Sequence, residues 1–139
     1  MKSPDDFSTN VYLAMSGAFS PNVERPPLYA DFLFEEINGK LVRNEAVSEK
    51  WKAKIPLNLV DEYKQNLLAM RGIFLDYGQK EGSASLRTNT SLFSKALAER
   101  SIPHIFEIYA GGDHLNKVKE RLETRVFPFF SNRLDSHNH

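Results

Sequence analysis

Apolar residues in this chain fall into a few short runs, with polar stretches at helical spacing between them. Val11-Tyr12-Leu13-Ala14-Met15 is one such run, rich in β-favouring residues and followed by Ser16-Gly17-Ala18-Phe19-Ser20-Pro21. It reads as a buried strand running into a loop. Gly72-Ile73-Phe74-Leu75-Asp76, closed by Tyr77-Gly78, is a second strand candidate, and His104-Ile105-Phe106-Glu107-Ile108-Tyr109, broken by Gly111-Gly112, is a third. Elsewhere the period turns helical. Asn58 is placed to cap a helix carrying Leu59, Val60, Tyr63 and Leu67. Ser83 or Ser85 suits the cap of the next helix, whose Leu86, Phe93, Ala96 and Leu97 share a face. Leu115, Val118, Leu122, Val126 and Phe129 form a last stripe, which Pro128 is expected to kink near its end.

Residues 22–56 fit this order least. Pro26-Pro27 and Asn38-Gly39 punctuate the stretch, and Phe32, Leu33, Phe34 and Ile37 suit one face of a short helix or an irregular apolar insert. Residues 44–52 read as helical, with Trp51 as the bulky anchor. The segment is taken as an insert of cap-like character, and the polar end at 132–139 is expected to fray. The order strand, insert, helix, strand, helix, strand, helix predicts an α/β fold with three layers, α/β/α, around a short parallel sheet of about three strands. Strands in such a sheet are buried on both faces, which suits their continuous apolar character. The length of 139 residues fits a single domain over 1–139.

Composition narrows the function classes. Lys plus Arg and Asp plus Glu number 18 each, so the chain lacks the basic surface of a general nucleic-acid binder. There is no cysteine, which excludes disulfides, thiolate metal sites and cysteine nucleophiles. No apolar run approaches the roughly 20 residues of a membrane span. The first ten residues are polar, carry Asp5 and Asp6, and show no apolar core of a secretory signal. A cytoplasmic location and no membrane partner are the expectation.

In open parallel sheets, sites form beyond the carboxyl ends of the strands. Ser16-Gly17 follows the first strand candidate, Asp76-Tyr77-Gly78-Gln79-Lys80-Glu81 the second, and Ala110-Gly111-Gly112-Asp113-His114 the third. A carboxylate loop and a histidine loop would then converge. A histidine acting as general base needs a carboxylate to fix its tautomer and to stabilise the imidazolium. His114 is the base candidate, with Glu81 or Asp76 as its acid. Against this stands the plainer reading, in which strand-end carboxylates are commonplace and a lone histidine in a Gly-rich loop is a surface residue.

Three segments together resemble the esterase D-like branch of the α/β-hydrolase serine esterases. They are Met1-Lys2-Ser3-Pro4-Asp5-Asp6-Phe7-Ser8 with Ala14-Met15-Ser16-Gly17-Ala18-Phe19-Ser20-Pro21; Ile73-Phe74-Leu75-Asp76-Tyr77-Gly78-Gln79-Lys80-Glu81, similar to a D-x-G-x-x-D pattern that ends in the triad acid; and Ile102-Pro103-His104 through Gly111-Gly112-Asp113-His114 to Phe127-Pro128-Phe129-Phe130-Ser131. The resemblance implies the C-terminal portion of that fold, with His114 as the triad histidine and Glu81, in place of the usual aspartate, as the triad acid. Asp76 is the fallback acid, more often structural in the family. The G-x-S-x-G elbow that carries the family's nucleophile occurs nowhere in the chain. Ser16 follows a different strand and reads as a turn or pocket wall. The activity implied is carboxylic-ester hydrolysis with this chain supplying acid and histidine, inactive when alone, on a small ester substrate and without cofactor.

The alternative is a non-enzymatic oligomerisation or binding module derived from a truncated hydrolase. An open apolar edge at 11–15 would pair with a second copy of the chain or with a separate N-terminal fragment. A complete small enzyme is a third reading, but Asp76, Glu81 and His114 match no metal motif. Trp51, Phe32 and Phe34 suit an acyl pocket or, more simply, core packing, and Phe127, Phe129 and Phe130 suit core and helix-end contacts. Glu120, Arg121, Glu123 and Arg125 read as a solvated helix face. His137 and His139 have no partner at useful spacing and read as inert.

Overall fold

The computed structural model describes residues 6–134. Residues 1–5, which begin the first family-like segment, and the tail with His137 and His139 lie outside the described residues. The chain divides between Leu59 and Val60 into two compact units.

The first unit opens with a helix, α1 (Asp6–Phe19), where the apolar run at 11–15 predicts a strand. The period is carried by residues that a search for apolar side chains passes over. Ser16 and Ser20 are fully buried, and they continue the face that Tyr12 begins. Their hydroxyls make this burial affordable: Ser16 Oγ donates to the Tyr12 carbonyl at 2.9 Å, and Ser20 Oγ donates to the Asp31 carbonyl at 2.8 Å. The helix runs through Gly17, so Ser16-Gly17 is neither a turn nor a strand end. Trp51 donates its indole N–H to Ser20 Oγ at 2.9 Å and packs on Tyr12 and Phe19, while Phe32 stacks on Tyr12. These aromatics are core contacts of the unit.

A hairpin follows in place of the helix or irregular insert expected near Phe32–Ile37. Its strands are β1 (Phe34–Ile37) and β2 (Lys40–Arg43), paired antiparallel. Asn38 and Gly39 turn it with φ of 53° and 73°, the left-handed pair that a two-residue hairpin turn requires. Helix α2 (Glu45–Lys52) lies where the sequence predicts it, and the Asn44 side chain caps it by accepting from Val47 N–H. Asn58 does not cap a helix. It sits inside the single turn α3 (Pro56–Leu59), and its amide donates to the Lys52 carbonyl at 2.9 Å.

The second unit begins with Val60, buried, and the short helix α4 (Lys64–Ala69). Strands β3 (Phe74–Gly78) and β4 (Ile105–Tyr109) pair in parallel, with Asp76 opposite Glu107 and Gly78 opposite Tyr109. Helix α5 (Ala84–Glu99) joins them, and Ser83 caps it by accepting from Leu86 N–H. Leu97, Ile102, Ala96 and Phe129 form the buried apolar core of this unit. With 11–15 helical, the parallel sheet has two strands rather than about three, and the open apolar edge expected at 11–15 does not exist.

The last stripe becomes three pieces: α6 (Val118–Arg121), a π turn (Leu122–Val126) and α7 (Phe127–Leu134). Pro128, expected to kink the helix near its end, follows directly on a π turn that interrupts the α-helical ladder. It sits in the first turn of α7, where a missing N–H costs least, and the wide turn just before it lets Phe127 N–H reach back to the Leu122 carbonyl. Residues 132–134, expected to fray, still belong to α7. Among the described residues no helix is long and apolar enough to cross a membrane.

Candidate functional site

Beyond the carboxyl ends of β3 and β4 the parallel ladder continues into the loops. Gln79 N–H donates to the Tyr109 carbonyl at 2.9 Å and Lys80 N–H to the Gly112 carbonyl at 2.7 Å. Such close backbone approach excludes side chains at the crossing. Gly78 is buried, and a Cβ there would run into the backbone of Gly112. A Cβ on Gly112 would in turn strike the Tyr109 ring. The two glycines are what allow the acid loop and the histidine loop to meet.

Glu81 follows at once, turned back by its N–H to the Gly78 carbonyl. It is 6% exposed, and both carboxylate oxygens are engaged: Oε1 accepts Ser83 N–H at 2.8 Å and Oε2 accepts His114 Nδ1–H at 2.8 Å. The Ser83 N–H foremost, and then the His114 bond, hold its pKa below the ordinary carboxylate value. Arg87 donates to the Glu81 carbonyl. Ser83 thus does two things, capping α5 with its side chain and locking the acid with its backbone.

His114 stands on a loop closed on itself. Asp113 Oδ1 accepts from Leu115 N–H at 2.9 Å and Asn116 N–H at 2.8 Å, and Asn116 returns a bond from Nδ2 to the Gly111 carbonyl at 3.1 Å. Those two backbone donors hold the Asp113 carboxyl below its usual range. Gly111 takes a left-handed φ of 70°, which glycine adopts without strain. The His114 side chain is 65% exposed, in contrast to its buried partner. Because a carboxylate can only accept, Nδ1 carries the proton, and Nε2 is left as the basic nitrogen.

Asp76 is held elsewhere. Arg121 reaches its Oδ2 with Nε at 2.9 Å and Nη2 at 2.6 Å, and the same Nη2 reaches Glu107 Oε2 at 2.7 Å. Arg121 also stacks 4.5 Å over the Tyr109 ring. Burial opposes its charge, but the bonds to Glu107 and Asp76 outweigh it and raise its pKa. The sequence places Arg121 on a solvated face, yet its side chain is only 12% exposed. The signal that could have found it is the pairing of Asp76 with Glu107. Two carboxylates side by side on one face of neighbouring strands call for a cation.

Ser16 belongs to the first unit, buried within α1 and bonded to the Tyr12 carbonyl. A second serine and histidine also touch: Ser94 Oγ lies 2.8 Å from His104 Nε2, and His104 Nδ1–H donates to the Ile102 carbonyl at 3.0 Å. Ser94 is buried, and the contact ties α5 to the start of β4. Among the described residues no three His, Asp or Glu side chains come close enough to share a metal ion. No protein-family model matches the chain, and no curated protein matches it either.

Proposed function

We propose that this chain is the acid- and histidine-bearing portion of an acyl-ester hydrolase of the serine esterase type. The observation that carries this reading is the contact of buried Glu81 with exposed His114. A buried carboxylate fixes the imidazole so that Nε2 faces outward as a base, as the acid does in a hydrolase triad. Glu81 is the acid in this reading, since the carboxylate of Asp76 serves Arg121. The resemblance of the two loops to esterase D-like hydrolases supports the same assignment. No G-x-S-x-G elbow lies within these residues, so the chain alone is expected to turn over esters poorly.

The test is p-nitrophenyl acetate hydrolysis by the purified chain. The expected result is slow release without a burst, reduced in His114→Ala and less so in Glu81→Gln. Equal rates in all three proteins would overturn the role of His114. A stoichiometric burst abolished by His114→Ala would show that the chain holds its own nucleophile. A second reading, an assembly module without activity, rests on β3 and β4 having no further strand partner among the described residues. Equal hydrolysis rates together with a stable dimer in light scattering would favour it.

A further inference from the structure

The amino ends of the two parallel strands carry a different kind of site. Gly72-Ile73 leads into β3 and Pro103-His104 into β4, whereas Glu81 and His114 lie past the other ends. A five-residue strand spans about 16 Å, so the two places are separate. At the amino ends lies a cavity of about 420 Å³ lined only by apolar residues and glycine, with Leu67, Phe74, Phe93, Phe129 and Phe130 as its main walls. A second cavity of about 210 Å³ shares Leu67, Met70, Gly72 and Ile73 with the first and adds Arg71, His104 and Arg133.

Arg133 is seated where the two cavities meet. Its guanidinium lies 3.9 Å over the Phe129 ring, and it crosses Gly72 so closely that a Cβ there would collide with it. Arg133 Nη1 donates to the Phe129 carbonyl at 3.2 Å, and Arg71 Nη1 to the Arg133 carbonyl at 3.4 Å. Among the described residues neither guanidinium pairs with a carboxylate, and no acidic side chain lines either cavity. His104 adds shape rather than a donor, because both of its nitrogens are already bonded.

We propose that this is a binding site for a medium-chain fatty acid, with the alkyl chain in the larger cavity and the carboxylate on Arg71 and Arg133. The larger volume falls in the range of small-molecule sites, about 300–1,000 Å³. An apolar lining favours a hydrocarbon chain, and neighbouring guanidinium groups favour a planar anion between them. The carboxyl end of α7 sets about half a negative charge against this. Two full positive charges outweigh it. The site does not depend on the ester-hydrolase reading, since none of its residues belongs to the Glu81–His114 pair.

Calorimetric titration of the full chain with sodium octanoate, decanoate and dodecanoate tests the proposal, with acetate and 1-decanol as comparisons. Affinity is expected to rise about fourfold per added methylene. Decanoate is expected to bind at least tenfold more tightly than 1-decanol, and Arg71→Gln combined with Arg133→Gln should erase that difference. Arg133 also supports the end of α7, so a second variant is needed. Met70→Glu changes a residue 57% exposed that lines both cavities, and it should weaken decanoate at least tenfold while circular dichroism stays unchanged. His114→Ala should leave decanoate binding as it was. Equal affinity for decanol and decanoate, no dependence on chain length, or indifference to Met70→Glu would each overturn the proposal. So would a dimer that Met70→Glu breaks in a protein that takes up no decanoate, which would make a second copy the occupant.

Discussion

Glu81 shows how little of a residue's role lies in its own side chain. Its carboxylate is held by one backbone N–H and one imidazole, and its depressed pKa follows from those donors. A carboxyl group held below its ordinary value of 4.5 adds stability that is complete above that pH and is lost as pH falls through the lower, folded value. Glu81→Gln keeps the shape and removes the charge. The stability gap between the wild type and this variant, read from urea midpoints, should therefore be widest near pH 7 and shrink below pH 4.5. A gap that stayed constant down to pH 3 would mean that the charge contributes nothing. The pairing of Glu81 with His114 was legible because parallel strands deliver their trailing loops to one end of a sheet. The part of Ser83 was not, since a backbone donor leaves no mark on residue identity.

Among the elements, the meeting of the β3 and β4 loops depends on Gly78 and not on its near neighbour Gly82. Gly78→Ala should cost about 1–3 kcal/mol and separate Glu81 from His114, because the added methyl would meet the Gly112 backbone, which cannot turn aside. Gly82→Ala, a few residues on, meets nothing within 4 Å and should stay within about 0.5 kcal/mol of the wild type. Urea melts of the two variants, with the His114 ring signals followed by NMR, separate these outcomes. Element type was legible for β3, α5 and β4, where turn residues bound the runs and Ser83 supplies a cap. It failed at 11–15, because an apolar run of five residues satisfies strand and helix alike. What decided it was the burial of Ser16 and Ser20, two small polar residues that hydropathy counts as surface.

At the level of the whole chain, burial is unevenly shared. Among the described residues the buried apolar side chains of the first unit are Ala30 and Val47, against Val60, Ala96, Leu97, Ile102 and Phe129 in the second. The first unit relies instead on hydrogen-bonded serines and on Trp51, the only tryptophan of the chain. Net stability rests on buried apolar surface exceeding the entropy of ordering, so the first unit should open at lower denaturant. Trp51 fluorescence reports on that unit alone. Its urea midpoint should precede that of the far-ultraviolet dichroism, and coincident transitions would show that the two units unfold as one. This division was not legible, since no Gly- or Pro-rich linker marks the boundary at Leu59 and Val60.

The π turn before Pro128 also has a meaning as a matter of counting. Each residue of an α-helix advances about 100°, so a turn that closes five residues back carries one residue more than the helix needs. Val118 and Leu122 keep one phase, and Phe129 keeps another, offset by that surplus residue; Leu115, expected in the same stripe, lies before the helix and is exposed. A periodicity search run across the junction averages the two. Related chains that lack the surplus would match this one on both sides of it only if a one-residue gap were allowed there. The wide turn thus takes up one surplus residue while Phe129 keeps its place against Phe74, with ring centroids 5.5 Å apart.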